Sequence, residues 1–310
     1  MPSIENIWPN GKQFAFTIFD DTDFATLENV GPVYDFLAKL GFRTTKSVWP
    51  IKGTREPICG GATCEDDTYL EWIYKLRQQG FEIGYHMTTF HSSYREETRR
   101  GLHRFAGLFG SAPLTMANHS GCRENIYWGS HRLTGFNQFA YDVLTAFRFH
   151  RKYRGHIEGD QFFWGDLCAE RVKYVRNFVF ADINTLKLCP WMPYHDPKRP
   201  YVKYWYASSE GPTVDPFVRC LSEEHQDRLE SEHGACLMYT HLSRGFFDGS
   251  LNPRFKQLME RLSRKDGWFV PVGTLLDYLL QRRAERSLTD AERNQLERRW
   301  LKHKFKTGRS

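Results

Sequence analysis

The pattern that most constrains the fold of this 310-residue chain is a repeated alternation of short β-rich runs with helical stretches. Two stretches carry apolar residues at helical spacing, namely Val30, Val33, Tyr34 and Leu37 in the first and Leu70, Ile73 and Leu76 in the second. Gly41 and Gly80 follow them, where a helix C-cap belongs. Helix, glycine and strand in that order are typical of βαβ units, so we expect an α/β fold with a parallel sheet or barrel.

Seven runs have the composition of strands: residues 14–20, 43–49, 81–86, 114–119, 177–183, 236–241 and 268–272. Because helices separate them, they predict one barrel-like domain over residues 1–281 rather than two domains. Two connections are long for a compact domain, at about 120–176 and 185–215, and the first holds a predicted helix over 136–147. Their aromatic residues favour ordered loops that shape a site.

The net charge of +6 is concentrated at the C-terminus. Residues 282–310 hold ten Lys or Arg and four Asp or Glu, and the rest of the chain is neutral. A neutral body argues against a nucleic-acid-binding surface. The chain also lacks a long apolar run, with a mean hydropathy of −0.59, so we expect no membrane span.

The location of the protein is predicted from its cysteines and its N-terminus. The seven cysteines are an odd number and include no C-x-x-C pair, which fits a reduced compartment better than a disulfide framework. The N-terminus has no basic segment followed by an apolar stretch, as a secretory signal would have. We therefore expect a cytoplasmic protein.

Acidic residues follow the first predicted strand, where Asp20 and Asp21 are adjacent and Asp23 lies two residues further on. Active sites of parallel barrels are built at the C-terminal ends of the strands. There, one carboxylate can bind a metal ion while its neighbour acts as a base. The alternative is a structural loop in which the Asp side chains bind backbone amides.

Histidines end several of the other predicted strands. His86 ends the third strand, and His91 follows after an irregular spacing of five. Asn118 and His119 end the fourth strand, and His241 ends the sixth. Imidazole and carboxylate groups that meet at one face of a barrel are suited to a zinc site with an open position. Each residue taken alone also has a structural interpretation, as a group hydrogen-bonded within a turn.

Four segments resemble motifs of the NodB-type polysaccharide deacetylases. Residues 17–21 (TIFDD) resemble the first motif, T-F-D-D-G, and residues 80–86 (GFEIGYH) resemble the second, G-x-E-I-G-x-H. Residues 237–241 (LMYTH) are similar to the late L-x-x-H segment, and residues 267–273 (GWFVPVG) to the end of such domains. The matches run in family order from about residue 12 to residue 281.

This resemblance implies a distorted (β/α)7 barrel, a divalent metal ion of the Zn²⁺ type and hydrolysis of an N-acyl group on a sugar. It implies Asp20 as the base and His241 as the acid. Asp21 and His86 would be metal ligands, and either His119 or His91 would complete the set.

We therefore expect a metal-dependent hydrolase acting on an N-acylated amino sugar or a glycolipid-type intermediate. The predicted substrate-binding residues are Asn118, Arg123, Trp164 and Asp182, with Trp128, Trp191 and Tyr194 as further stacking candidates. Two alternatives are open: a non-catalytic carbohydrate-binding barrel that has lost part of its metal site, and a hydrolase of a non-sugar C–N bond.

The basic segment 282–310 predicts a C-terminal helix. Thr289 and Glu292 form a capping-box pattern at its start. One interpretation is a helix that packs on the barrel with Trp300 as its anchor. The other is a basic amphipathic helix in peripheral contact with the anionic inner face of the membrane, beside a lipid-linked sugar.

Overall fold

Seven parallel strands close into a barrel in the computed structural model, which describes residues 7–283 and 285–307. The strands are β1 (Phe14–Asp20), β2 (Thr45–Val48), β3 (Glu82–Tyr85), β4 (Thr115–Met116), β5 (Tyr174–Phe180), β6 (Tyr204–Glu210) and β7 (Ala235–Thr240). Each pairs with the next in parallel, and β7 pairs with β1 to close the barrel. The predicted distorted (β/α)7 barrel is therefore confirmed.

Helices surround this barrel, and they begin with α1 (Leu27–Lys39), α2 (Asp67–Gln78) and α3 (Arg95–Phe109). Next come α4 (Gly135–Leu144), α5 (Gly165–Arg171), α6 (Thr185–Leu188), α7 (Val214–Cys220) and α8 (Glu223–Ser231). A hairpin of β8 (Phe247–Asp248) and β9 (Ser250–Leu251) precedes α9 (Pro253–Ser263), β10 (Gly267–Phe269), α10 (Val272–Arg283) and α11 (Asp290–Thr307). Short 3-10 helices cover Pro9–Gly11 and Gly129–Arg132. The apolar face predicted for the first helix, Val30, Val33, Tyr34 and Leu37, is buried.

The structure corrects the predicted strand list in two places. The sixth barrel strand is β6, which lies inside the segment 185–215 that the sequence predicts as a connection. The predicted strand 268–272 corresponds to β10, which pairs with the first half of β1 and lies outside the closed ring of seven. The sequence of β6 ends in the polar residues Ser208, Ser209 and Glu210, which are buried. This polar end hides the strand from a search for apolar runs, because the barrel interior near the site is itself polar.

The long connection at 120–176 is ordered and carries α4 and α5. The helix predicted over 136–147 corresponds to α4, which ends three residues earlier. This connection forms a wall of the barrel mouth together with α11. Tyr141 of α4 lies 5.6 Å from the Trp300 ring of α11, and Phe178 of β5 lies 5.4 Å from it on the barrel side.

Helix α11 packs on the barrel, as the first interpretation of the basic segment predicts. Its apolar residues Leu296 and Trp300 are buried inside the protein. The capping box is present, since the Thr289 backbone N–H donates to Glu292 Oε2 over 3.0 Å and the Glu292 N–H donates to Thr289 Oγ1 over 3.3 Å. The apolar side that a membrane would contact is therefore used for packing.

A buried carboxylate fixes α11 to the long connection. Glu297 is fully buried and accepts hydrogen bonds from the Thr134 backbone N–H over 3.1 Å and from Asn137 Nδ2 over 2.9 Å. It also pairs with Arg199 Nη2 at 3.1 Å. A buried charge is tolerated only when its partners satisfy it, so these contacts specify how α11 docks. Among the described residues, no helix combines the length and apolar character needed to cross a bilayer.

We predict that Glu297→Ala destabilises the protein by about 3 kcal/mol, because it leaves the buried donors of Asn137 and Arg199 without their acceptor. Chemical denaturation measures this change in the free energy of unfolding. Gln295→Ala, at an exposed position of the same helix, is the matched control and is expected to change it by less than about 0.5 kcal/mol. Equal effects of the two substitutions would contradict the docking role of Glu297.

Candidate metal centre and its cavity

Side-chain alternation at the end of β1 decides which acidic residue reaches the barrel interior. Successive residues of a strand point to opposite faces. The Phe19 ring faces inward and lies 6.5 Å from the Tyr206 ring of β6. Asp20 therefore faces the helices, where its Oδ2 accepts from the Tyr34 hydroxyl at 3.1 Å and pairs with Lys46 Nζ at 3.0 Å.

Asp20, the predicted base, lies away from the cavity in the structure. The side chain is fully buried, and its second oxygen accepts the Leu242 backbone N–H over 2.8 Å. Asp20 does not line the cavity at the barrel mouth, whereas Asp21 and Asp23 do. Its contacts instead join β1 to α1, to β2 and to the segment after β7.

Asp21, the predicted metal ligand, points into the barrel, where an arginine holds its carboxylate. Arg176 Nη1 and Nη2 of β5 donate to the two Asp21 oxygens over 2.9 and 2.5 Å. Both side chains are buried. Burial alone would lower the pKa of the Arg176 guanidinium, but the Asp21 carboxylate outweighs burial and raises it. Asp21 is therefore fixed in orientation and lies 3.9 Å from His86 Nδ1.

Asp23 is the carboxylate that meets the predicted histidines. Its Oδ1 lies 3.0 Å from His86 Nε2 and 3.0 Å from His119 Nδ1, and the two nitrogens are 3.2 Å apart. Burial would raise the pKa of Asp23, but His86 and His119 outweigh it and hold the pKa well below its usual range. Among the described residues, these three groups form a cluster with the donor atoms and spacing to hold a metal ion.

The spacing of these three atoms fits a tetrahedral metal ion. Ligand atoms placed about 2.0–2.1 Å from Zn²⁺ at tetrahedral angles lie about 3.3 Å from one another. The observed separations of 3.0–3.2 Å are close to that value. One carboxylate and two imidazoles also match the donor types of open zinc sites. The residues present therefore fit a divalent metal, with Asp23 in the position predicted for Asp21.

His241 lies on the opposite oxygen of the same carboxylate. Its Nε2 is 3.3 Å from Asp23 Oδ2, and its Nδ1 is 2.8 Å from the Pro212 carbonyl oxygen. Because a carbonyl only accepts, Nδ1 carries a proton and Nε2 is the atom that gains or loses one. Burial would lower the pKa of His241, but the hydrogen bond and charge of Asp23 outweigh it, and the pKa is raised.

The structure places His91 outside this cluster. Its Nε2 accepts the Thr54 backbone N–H over 3.1 Å, and its Nδ1 donates to the Ser92 carbonyl over 3.0 Å. Both ring nitrogens are thus used by the loop. Of the two histidines that the sequence offers as partners of His86, His119 is the one that lies beside it, and its role as a metal ligand stays a prediction.

Of the predicted substrate-binding residues, the structure brings only Asn118 to the cavity, and Trp128 of the stacking candidates joins it. The Asn118 amide is bonded to the Ile126 backbone at both ends, at 2.9 and 3.1 Å. The other predicted residues do not line the cavity: Arg123, Trp164, Asp182, Trp191 and Tyr194. Arg123 lies over the Phe162 ring, the buried Trp164 donates to the Glu124 carbonyl, and Asp182 pairs with Arg228.

The cavity at the barrel mouth has a volume of about 430 Å³ and contains groups that sequence reasoning missed. Arg176 is one of them, since the fifth predicted strand begins one residue after it. A lone arginine between Val175 and Asn177, in an otherwise apolar strand, is the signal that would have found it. Arg132 is another, and nothing in its local sequence distinguishes it from a surface arginine.

Solved structures share this architecture at low sequence identity. PuuE allantoinase gives a TM-score of 0.50 at 12% identity, covering 89% of this chain and 93% of that one. A presumed polysaccharide deacetylase from Mycobacterium smegmatis gives 0.48 at 12% identity, with 91% and 96% covered. A variant of the peptidoglycan deacetylase PdaC from Bacillus subtilis gives 0.41 at 15% identity, with 95% and 100% covered.

No protein-family model and no curated protein matches the chain. The likeness to solved structures therefore concerns the fold. At that level the expectation from the sequence is confirmed, because the chain has a closed barrel of seven parallel strands with surrounding helices.

We predict that Asp23→Ala and His119→Ala each weaken the binding of a divalent metal by roughly 100-fold or more, since even supporting residues of metal sites contribute 10–100-fold. Elemental analysis and titration with Zn²⁺ measure this. His91→Ala is the matched control and should keep the metal. Loss of metal in His91→Ala together with its retention in Asp23→Ala would overturn the assignment.

Proposed function

We propose that this protein is a metal-dependent hydrolase that removes an N-acyl group from an amino sugar or a sugar-containing intermediate. The observation that supports the proposal most strongly is the arrangement around Asp23. A metal-type cluster of Asp23, His86 and His119 has a fixed carboxylate, Asp21, on one side and His241 on the other. Asp21, Asp23, His86 and His241 all line one cavity.

Asp21 is the proposed base. Its carboxylate faces the cavity beside the metal-type cluster, and Arg176 keeps both of its oxygens oriented. It would take a proton from the attacking water as the C–O bond forms. A bound divalent ion would supply Lewis-acid polarisation of the acyl carbonyl and acidify water in the site. The sequence predicts Asp20 as the base, and the proposal gives this role to the next residue instead.

His241 is the proposed acid. Its Nδ1–H is held by the Pro212 carbonyl, which points Nε2 toward Asp23 and the cavity. From that position a protonated Nε2 can transfer its proton to the departing amine, which is a poor leaving group until it is protonated. The negative charge of Asp23 favours the protonated imidazole needed for that step.

The side chains that line the cavity favour a carbohydrate substrate, either a glycolipid or a free sugar. Aromatic side chains line the cavity, namely Trp128, Tyr141, Phe149, Tyr153 and Tyr239. Such rings offer apolar faces for packing and, in tyrosine, a hydroxyl at the edge. A cytoplasmic location remains a prediction from the sequence.

Two alternatives are separated by experiment. A non-catalytic carbohydrate-binding barrel would keep the cavity and bind sugars without turnover. A hydrolase of a non-sugar C–N bond is suggested by the allantoinase that shares the fold. The aromatic lining of the cavity favours a sugar as the ligand over a small heterocycle.

We predict that Asp21→Asn lowers the turnover number by roughly 10²–10⁴-fold while leaving the metal bound, because the amide cannot accept a proton. Release of the free acid from a panel of N-acylated amino sugars measures turnover. Asp182→Asn makes the same chemical change outside the cavity and is the matched control. Full activity of Asp21→Asn would exclude it as the base, and activity in neither wild type nor variants would favour the binding protein.

We also propose that a peripheral membrane contact, if the substrate is lipid-linked, uses α4 instead of α11. Phe136, Phe139 and Phe147 are exposed by 79%, 58% and 52% at α4 and just beyond it. The segment from Val143 to Ile157 is rich in Arg and Lys and contains no acidic residue. An apolar stripe beside basic side chains suits an anionic leaflet.

We predict that wild-type protein sediments with vesicles of phosphatidylcholine and phosphatidylserine but not of phosphatidylcholine alone. The double change Phe136→Ser and Phe139→Ser should abolish sedimentation, because it removes the apolar contact. Phe305→Ser, at an exposed position of α11, is the control and should retain it. Binding lost only in Phe305→Ser would return the contact to α11, and wild type that stays in solution would exclude a membrane contact.

A further inference from the structure

The cavity carries basic side chains that the proposed chemistry does not use. Arg132, Arg148, Lys152 and Arg244 line it together with Asp23 and His86, and we call these four basic residues the basic cluster. Within residues 7–283 and 285–307, no carboxylate lies within ion-pair distance of any of the four. The Arg176 guanidinium, by contrast, is already bound to Asp21.

The acidic side chains of the cavity are already engaged. Asp21 is held by Arg176, and Asp23 is surrounded by histidines. Glu210 lies 3.2 Å from His303 Nε2. The positive charge of the basic cluster is therefore not compensated by the acidic residues that share its cavity.

Arg132 is the deepest member of the basic cluster. Only 4% of it is exposed, and its guanidinium lies 3.1 Å over the Trp128 ring. Its Nε is buried and has no hydrogen-bond partner. Burial lowers the pKa of Arg132 to about 10, with the nearby Arg176 charge acting in the same direction. A buried cation without a counter-ion is costly, so a site of this kind is stabilised when an anion arrives.

The other members stand at the rim and are supported by aromatic rings. Arg148 and Arg244 are exposed, and Lys152 is half-buried. The Lys152 ammonium lies 5.4 Å from the centre of the Tyr153 ring, and the Arg244 guanidinium lies 4.9 Å from that of Phe24. Cationic groups around a cavity with low-dielectric walls concentrate the field and attract anions into it.

We propose that the basic cluster binds an anionic group, a carboxylate or a phosphate, on the substrate whose N-acyl group lies at Asp23, His86 and His119. The proposal rests on the proposed function and narrows its substrate class to acidic N-acylated sugars. Arg132 binds the anion inside the cavity, since a guanidinium offers a planar fork of donors to either oxyanion. Arg148, Lys152 and Arg244 draw the charged substrate to the mouth.

The test is a calorimetric binding measurement on metal-loaded protein, independent of turnover. The ligands are N-acetylglucosamine, its 6-phosphate and its 6-carboxylate analogue, with inorganic phosphate as a further probe. At least one acidic sugar should bind about tenfold or more tightly than the neutral sugar, and added salt should reduce the difference. The phosphate and carboxylate arms identify which oxyanion the site prefers.

Substitutions then assign the effect to the basic cluster. Arg132→Gln should abolish the preference for acidic ligands, and Arg132→Lys should restore only part of it, because an ammonium lacks the fork. Arg148 and Arg244 lie at exposed positions that tolerate change. Arg148→Gln and Arg244→Gln should each weaken the binding of acidic ligands by several-fold. Arg264→Gln, an exposed arginine at the end of α9, is the matched control.

The outcomes separate this proposal from the proposed function. Equal binding of neutral and acidic sugars, or a preference unchanged in Arg132→Gln and in both rim variants, overturns the anion site. Arg132-dependent binding of acidic sugars without any acyl release would retain the anion site and refute the hydrolase. Turnover of neutral sugars alone would support the hydrolase and refute the anion site.

Discussion

One carboxylate, that of Asp23, organises the mouth of the barrel. Three imidazoles reach it from the ends of different strands: His86 after β3, His119 after β4 and His241 after β7. Only a closed parallel barrel brings these strand ends to one point, so the site depends on the pairing of β7 with β1. The two oxygens of Asp23 also divide the histidines. Two lie at Oδ1 in metal-binding geometry, and His241, the proposed acid, lies at Oδ2.

The elements added to the barrel give the site its specific character. The connection 120–176 and α11 are joined by the buried Glu297 and by the packing of Trp300. The same pair of elements delivers the Arg132 guanidinium, which lies 5.3 Å from the Trp300 ring, to the cavity. The C-terminal helix is thus part of the wall of the cavity. Its Lys304 is one of the basic side chains that line the cavity.

The sequence predicts the barrel well because helices, glycine caps and strands recur in order, and those are local patterns. It also predicts that His86 meets either His119 or His91, and in the structure His119 lies beside it. It does not predict that Asp20 faces away from the cavity and Asp21 into it, because the motif resemblance aligns residue types while strand alternation decides which side chain faces inward. It misses Arg176, whose role depends on a partner far along the chain. The strand 204–210 is missed because its second half, Ser208 to Glu210, is polar and leaves only a short apolar run by which to find it.

The most direct measurement is the anomalous diffraction of crystals grown with Zn²⁺. A single strong peak about 2.0–2.2 Å from Asp23 Oδ1, His86 Nε2 and His119 Nδ1 is the predicted result. Asp21 would remain bound to Arg176 beside the peak. A peak coordinated by Asp20 or His91, or no peak at the barrel mouth in crystals saturated with zinc, would contradict the metal centre on which the account depends.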